Sequence, residues 1–201
     1  MDATVRMDDL RRVLARPGQL GDPGSAEVTA AVAAVFRDRP AGPELLFIRR
    51  AEHPRDPWSG DMGFPGGRVD PTDASPLAAA IRETREELAL DLDRCGVLLG
   101  AMPSVRTHLR VGRGPLWVAP FVFELQGEPD LVPNHEVQEA LWVPLSFLMD
   151  KGNRHSFVWT GRGFPLPMPC YRFHGRVIWG LTLRMLDGLF GLLAGDSPAR
   201  L

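Results

Sequence analysis

Hydrophobic positions along the chain fall into short dense runs separated by polar, turn-rich stretches. Val28 to Phe36 is almost unbroken in apolar residues, and Leu45 to Arg49 follows after a turn around Pro40-Ala41-Gly42-Pro43, so both read as strands. Leu116 to Glu124 is rich in β-branched and aromatic residues and reads as another. Shorter runs at Val97 to Leu99, Ala140 to Val143, Val158 to Thr160 and Tyr171 to His174 predict further strands, with a helical turn near Phe147 after Pro144. A helical period appears in Val5 to Ala15, with Met7, Leu10 and Leu14 on one side, and again in Leu181 to Leu193. Strands interrupted by helices predict an α/β fold with an α/β/α sandwich.

A third helix is marked at its start. Ser75 suits the N-cap and Pro76 the first helical position. Leu77, Ile81, Thr84 and Leu88 form a mostly apolar stripe that predicts the core-facing side. Beside it lie Glu83, Glu86 and Glu87, within roughly 100° of one another around the axis at 3.6 residues per turn. Like charges 4 Å apart repel by ~1 kcal/mol in water and ~4 kcal/mol at an effective dielectric near 20. One reading is a solvated face balanced by Arg82 and Arg85. The other is a cluster that holds a hard divalent cation, completed by waters and substrate phosphates. Upstream, Phe64-Pro65-Gly66-Gly67 and Asp70-Pro71-Thr72-Asp73 form a loop dense in turn formers, and its paired glycines let the backbone approach a ligand or metal.

Composition narrows the setting. A chain of 201 residues with 44% hydrophobic content is within range for a single domain spanning residues 1–201, with 1–25 as a helical N-terminal extension. Net charge is −2, which gives no electrostatic case for nucleic acid or a membrane as partner. Two cysteines, Cys95 and Cys170, make no disulfide framework. The first twenty residues include Asp2, Arg6, Asp8, Asp9, Arg11 and Arg12, leaving no signal-type apolar region, and no run of eighteen apolar residues occurs. The expected location is cytoplasmic.

Residues 66–90, GGRVDPTDASPLAAAIRETREELAL, resemble the box of the Nudix hydrolases. Arg82-Glu83 and Glu86-Glu87 match its Arg-Glu and Glu-Glu pairs, and Leu90 its last apolar position. Thr84 replaces an aliphatic residue and Ala89 a glycine. The first Glu position falls on Ala74, or on Asp73 with one residue inserted. The GGxxDPxD spacing and Arg176-Val177-Ile178-Trp179-Gly180-Leu181-Thr182 resemble the coenzyme A pyrophosphatase branch, although Trp58 stands where that branch has histidine.

The resemblance implies a Nudix-type α/β/α sandwich with a mixed sheet and Mg²⁺ or Mn²⁺ as cofactor. It implies a small-molecule nucleoside diphosphate derivative as substrate, and a homodimer is compatible with it. Glu83, Glu86, Glu87 and the backbone of Gly67 are the expected metal ligands, with Arg82 orienting a carboxylate. Glu136 and Glu139 precede a strand and are candidates for the site, Glu136 as general base. Arg50, Arg106 and Trp179 are candidate substrate contacts, and the loop around Arg106, Arg110 and Arg113 is a candidate to meet the 3′-phosphate of coenzyme A, against the reading of a merely solvated basic loop. Coenzyme A would yield 4′-phosphopantetheine and adenosine 3′,5′-bisphosphate. ADP-ribose, dinucleoside polyphosphates and nucleotide sugars remain alternatives. A non-catalytic nucleotide-binding module is a third reading, and the presence of all three glutamates favours an enzyme.

Overall fold

The computed structural model describes residues 5–15, 28–53, 58–111, 114–160 and 165–195. At its centre is β1 (Ala30–Arg37), apolar and buried on both sides, as a strand in the middle of a covered sheet must be. One edge of β1 runs parallel to β7 (Gly114–Leu125) from Ala30 to Phe36. The other edge changes partner partway. Phe36 and Arg37 pair antiparallel with β2 (Glu44–Arg50), whereas Ala30 to Val32 pair antiparallel with β4 (Gly66–Arg68). Between them Ala33 donates its N–H to the Pro65 carbonyl at 2.8 Å. The sheet therefore forks at β1, and the Gly66-Gly67 backbone lies in one prong.

β2 also carries β3 (Met62–Gly63) and β8 (Val137–Pro144), while β7 carries β5 (Gly96–Ala101) and β6 (Val105–Val111), which completes a mixed eight-stranded sheet. Helix α2 (Pro76–Leu88) covers the face bearing Ala33, Val35, Leu46, Ile48 and Phe123. Helices α1 (Met7–Leu14) and α5 (Gly180–Ala194) cover the opposite face, bearing Ala34, Phe36, Leu45, Phe47 and Val122. This is the expected α/β/α sandwich. On the α1 side Arg11 bonds both oxygens of Glu124, a buried β7 carboxylate that needs a cation. A short α3 (Leu92–Cys95) follows α2, and α4 (Leu145–Met149) supplies the helical turn expected after Pro144. Beyond it a second sheet of β9 (Arg154–Trp159), β10 (Leu166–Phe173) and β11 (Arg176–Trp179) packs toward α5. Among the described residues no helix is long and apolar enough to cross a membrane.

One reading is extended and two need correction. The buried face of α2 is Ala79, Ala80, Thr84, Glu87 and Leu88, with Leu77 and Ile81 only partly covered at its rim. Small alanines let the helix approach β1 closely, and Thr84 satisfies its hydroxyl on the Ala80 carbonyl at 2.7 Å. Gly66-Gly67, read as loop, is strand. The basic segment containing Arg106 is strand β6, not loop. Arg55 to Pro57, Arg113, the Arg110 side chain and residues 1–4 and 16–25 of the N-terminal extension lie outside what is described.

Candidate active site

The site begins at the fork. Gly66 has φ +144°, and a Cβ there would meet the Ala31 carbonyl oxygen at 2.3 Å and Val32 Cα at 2.6 Å, so only glycine passes. Its N–H donates to Glu87 Oε2 at 2.8 Å. Gly67 abuts Glu83: a Cβ there would lie 2.5 Å from the Glu83 carboxyl carbon. The two glycines thus bring bare backbone against two carboxylates from successive turns of α2.

Helix α2 aims those carboxylates. Ser75 Oγ accepts from the Ala78 N–H at 3.1 Å, so the N-cap forms as expected. Its far end closes on Ala89, a non-glycine residue at φ +54°, whose N–H bonds the Arg85 carbonyl at 2.9 Å. The glycine of the family pattern is explained by this left-handed cap.

Glu87 is 2% exposed. Burial pushes its carboxyl up to about 8. The Gly66 N–H and the Arg50 guanidinium, 3.9 Å away, pull it back, while Glu83 and Glu136 push it further up. Burial likewise raises Glu83, against the pull of Arg82. Arg82 is the organiser on the solvent side. Its Nε and Nη2 donate to the two oxygens of Asp73 at 2.9 and 3.0 Å, and its Nη1 donates to Glu83 at 2.9 Å and Glu86 at 3.1 Å. The Asp73 carboxyl is held below its usual range by that guanidinium. Asp73, rather than Ala74 at the first glutamate position of the family pattern, thus carries the carboxylate that fixes the Arg82 guanidinium.

Glu136 sits before β8 and is half exposed. Its N–H donates to Asn134 Oδ1 and its carbonyl accepts from Ala51, both at 2.8 Å, so its backbone is fixed beside β2. Its charge is felt by both Glu83 and Glu87. Glu139 is engaged elsewhere, accepting from Arg176 Nε at 2.9 Å across to the second sheet. Arg106 is exposed on β6 over the Trp117 ring at 6.0 Å, and its carbonyl accepts from Arg184. It does not join the carboxylates. Trp179 lies on the Arg49 side of β2, its indole N–H donating to Asp61 at 2.9 Å. Trp58, which stands where the resembled branch has histidine, packs partly buried against the α1–α5 core. Sequence reading missed Asp61 and Arg49, whose partners lie on distant strands.

Among the described residues no three acidic or imidazole side chains converge as they stand into a coordination shell. Arg82 draws Glu83 and Glu86 toward itself, and Glu86 is 54% exposed. The donors nevertheless fit a hard cation. The side-chain donors are carboxylate oxygens, Glu87 is buried on the Gly66 N–H with Arg50 3.9 Å away, and Gly67 leaves a cradle against Glu83 that a side chain would fill.

The NUDIX domain family model matches residues 27–160. The chain belongs to the Nudix family. Among its relatives, the human mitochondrial coenzyme A diphosphatase NUDT8 is 32% identical over 160 residues, covering 76% of this chain and 64% of that protein. The chain thus spans slightly less than two thirds of that relative's length. A Nudix hydrolase of Salmonella paratyphi B, NudL, is 32% identical over 157 residues, covering 78% of each chain. In fold, an Ap4A hydrolase of C. elegans aligns at TM-score 0.51 and 23% identity, over 61% of this chain and 83% of that one. A MutT/nudix family protein of Enterococcus faecalis aligns at 0.54 and 15% identity, over 96% of this chain and 75% of that one.

Proposed function

We propose that the chain hydrolyses the diphosphate linkage of a nucleoside diphosphate derivative with Mg²⁺ or Mn²⁺, and that coenzyme A or a derivative is its substrate. The observation that carries the chemistry is Glu87, a buried carboxylate held on the Gly66 N–H beside Arg50, with Glu83 and Glu136 in electrostatic reach. Coenzyme A is supported by the 32% identity to the human coenzyme A diphosphatase.

Glu83 and Glu87 hold the cation, with Glu86 and the Gly67 backbone at the rim. When bound, the cation neutralises phosphoryl oxygens and acidifies a water. Arg82 keeps Glu83 and Glu86 in register, with Asp73 fixing its guanidinium. Arg50 balances the buried carboxylate and meets phosphoryl oxygen. A Glu136 carboxylate oxygen takes the proton of the attacking water. The water oxygen bonds to one phosphorus as the bridging P–O bond breaks, which gives 4′-phosphopantetheine and adenosine 3′,5′-bisphosphate from coenzyme A.

The test is turnover of coenzyme A, ADP-ribose and diadenosine tetraphosphate with Mg²⁺ or Mn²⁺. Coenzyme A is expected to show the highest kcat/KM, and Glu136→Gln to cut kcat about 10²-fold. Binding of nucleotides without hydrolysis of any substrate would favour the binding module instead.

A further inference from the structure

Two arginines stand side by side at the end of β2, and the pairing of β2 with β8 shifts register between them. Such a bulge re-aims the side chains around it. Arg50 faces Glu87 at 3.9 Å. Arg49 lines a separate cavity of about 370 Å³ at the same end of the sheet, with Asp61, Met62, His174, Arg176 and Trp179. The cavity occupies the seam between the two sheets, and its walls are fixed by bonds that cross it. Trp179 on β11 donates to Asp61 beside β3, and Arg176 on β11 donates to Glu139 on β8. Asp61 in turn accepts the Arg50 N–H at 3.1 Å, so the cavity wall and the carboxylate cluster share one backbone bond.

Charge distinguishes the two cations of this cavity. Arg176 is committed to the Glu139 carboxylate and the His174 carbonyl. Arg49 makes a loose ion pair, 3.9 Å to Glu52, whose side chain is 77% exposed. An exposed pair of that kind contributes little and exchanges readily. Arg49 therefore presents a planar guanidinium fork to the cavity, the group best matched to phosphate oxygens.

We propose that this seam cavity is a specificity subsite in which Arg49 binds a phosphate remote from the scissile linkage, so that adjacent arginines read two anionic centres of one substrate. The preferred substrate is then a nucleoside diphosphate derivative bearing a third phosphate. This rests on the diphosphate hydrolysis proposed above and replaces Arg106 with Arg49 as the reader of the extra phosphate.

Coenzyme A and 3′-dephospho-coenzyme A differ by that one phosphate and make the test. Wild type is expected to favour coenzyme A at least tenfold in kcat/KM. Arg49→Gln is expected to bring the two substrates to near parity, chiefly by loss on coenzyme A, and Arg49→Lys to keep part of the preference. Turnover of the dephospho substrate by the variant reports that its fold is intact. Equal efficiency of wild type on both, or a preference that survives Arg49→Gln, overturns the subsite while leaving the hydrolytic reading standing. If wild type hydrolyses neither, the hydrolytic reading fails and calorimetry with adenosine 3′,5′-bisphosphate decides the subsite. Tenfold weaker binding by Arg49→Gln than by wild type supports it, and unchanged or undetectable binding by both overturns it.

Discussion

Gly67 and Glu83 fit against each other without room for a methyl group, since a Cβ on the glycine would come within 2.5 Å of the carboxyl carbon. Gly67→Ala is expected to push Glu83 out of position. A displacement of about 1 Å at a catalytic group costs on the order of 10² in rate, so kcat should fall by that factor while the far-ultraviolet circular dichroism spectrum stays unchanged. A variant with full activity would show that Glu83 need not sit there.

Glu87 links stability to pH. Its carboxyl titrates near 4.5 in the unfolded chain and is pushed up to about 8 by burial in the fold. Between those values the unfolded chain gives up a proton that the folded chain keeps. The metal-free fold therefore loses stability as pH rises from 4.5 to 8, by an amount on the order of a few kcal/mol. Glu87→Gln removes the titration. In chelator its Tm should exceed that of wild type at pH 8.5, and the gap should close at pH 5. Turnover should be lost. Equal gaps at both pH values would refute the assignment.

The same ionisation governs the cation. A metal needs the ligand deprotonated, so Mg²⁺ or Mn²⁺ affinity should rise with pH up to about 8 and then level off. Isothermal titration at pH 6.5, 7.5 and 8.5 measures this directly, and proton release on binding should accompany it at the lower values.

Asp73 holds both donors of one edge of Arg82. Removing such an outer partner commonly costs 10–100-fold. Asp73→Ala should lower kcat about tenfold with little change in KM, and an Arg82→Ala, Asp73→Ala double variant should be no worse than Arg82→Ala alone. Additive losses would mean that Asp73 acts independently.

Ala89 caps α2 in the left-handed region at φ +54°. An L-residue there costs roughly 1–2 kcal/mol, partly offset by the smaller entropy it loses relative to glycine. Ala89→Gly is expected to stabilise the fold by about 0.5–1 kcal/mol, raising Tm by roughly 2 °C, with kcat unchanged. A lower Tm would contradict the strain.

Elements whose signal is local were readable from sequence. Helix α2 announces itself through Ser75 and Pro76, and β1 through a continuous apolar run. Elements defined by their partners were not. Gly66-Gly67 is strand only because β1 offers an edge at the fork, and glycine has no side chain to advertise pairing. The α2 core face was read only in part: Thr84 and Leu88 are buried and Leu77 and Ile81 pack at the rim, but Ala79 and Ala80, too small to mark a stripe, make the closest approach. The candidate site was legible where box residues are consecutive, at Arg82, Glu83, Glu86 and Glu87. Asp61 and Arg49 stayed hidden because their roles depend on strands more than a hundred residues away.

The seam between the sheets is a mechanical joint. The bonds Trp179–Asp61 and Arg176–Glu139 hang the three-stranded sheet on the main one, whereas Gly66 and Gly67, which face Glu87 and Glu83, are paired to β1 and take no part in that joint. A strain that moves the smaller sheet is therefore absorbed at these two side-chain bonds before it reaches the glycine-backed carboxylates.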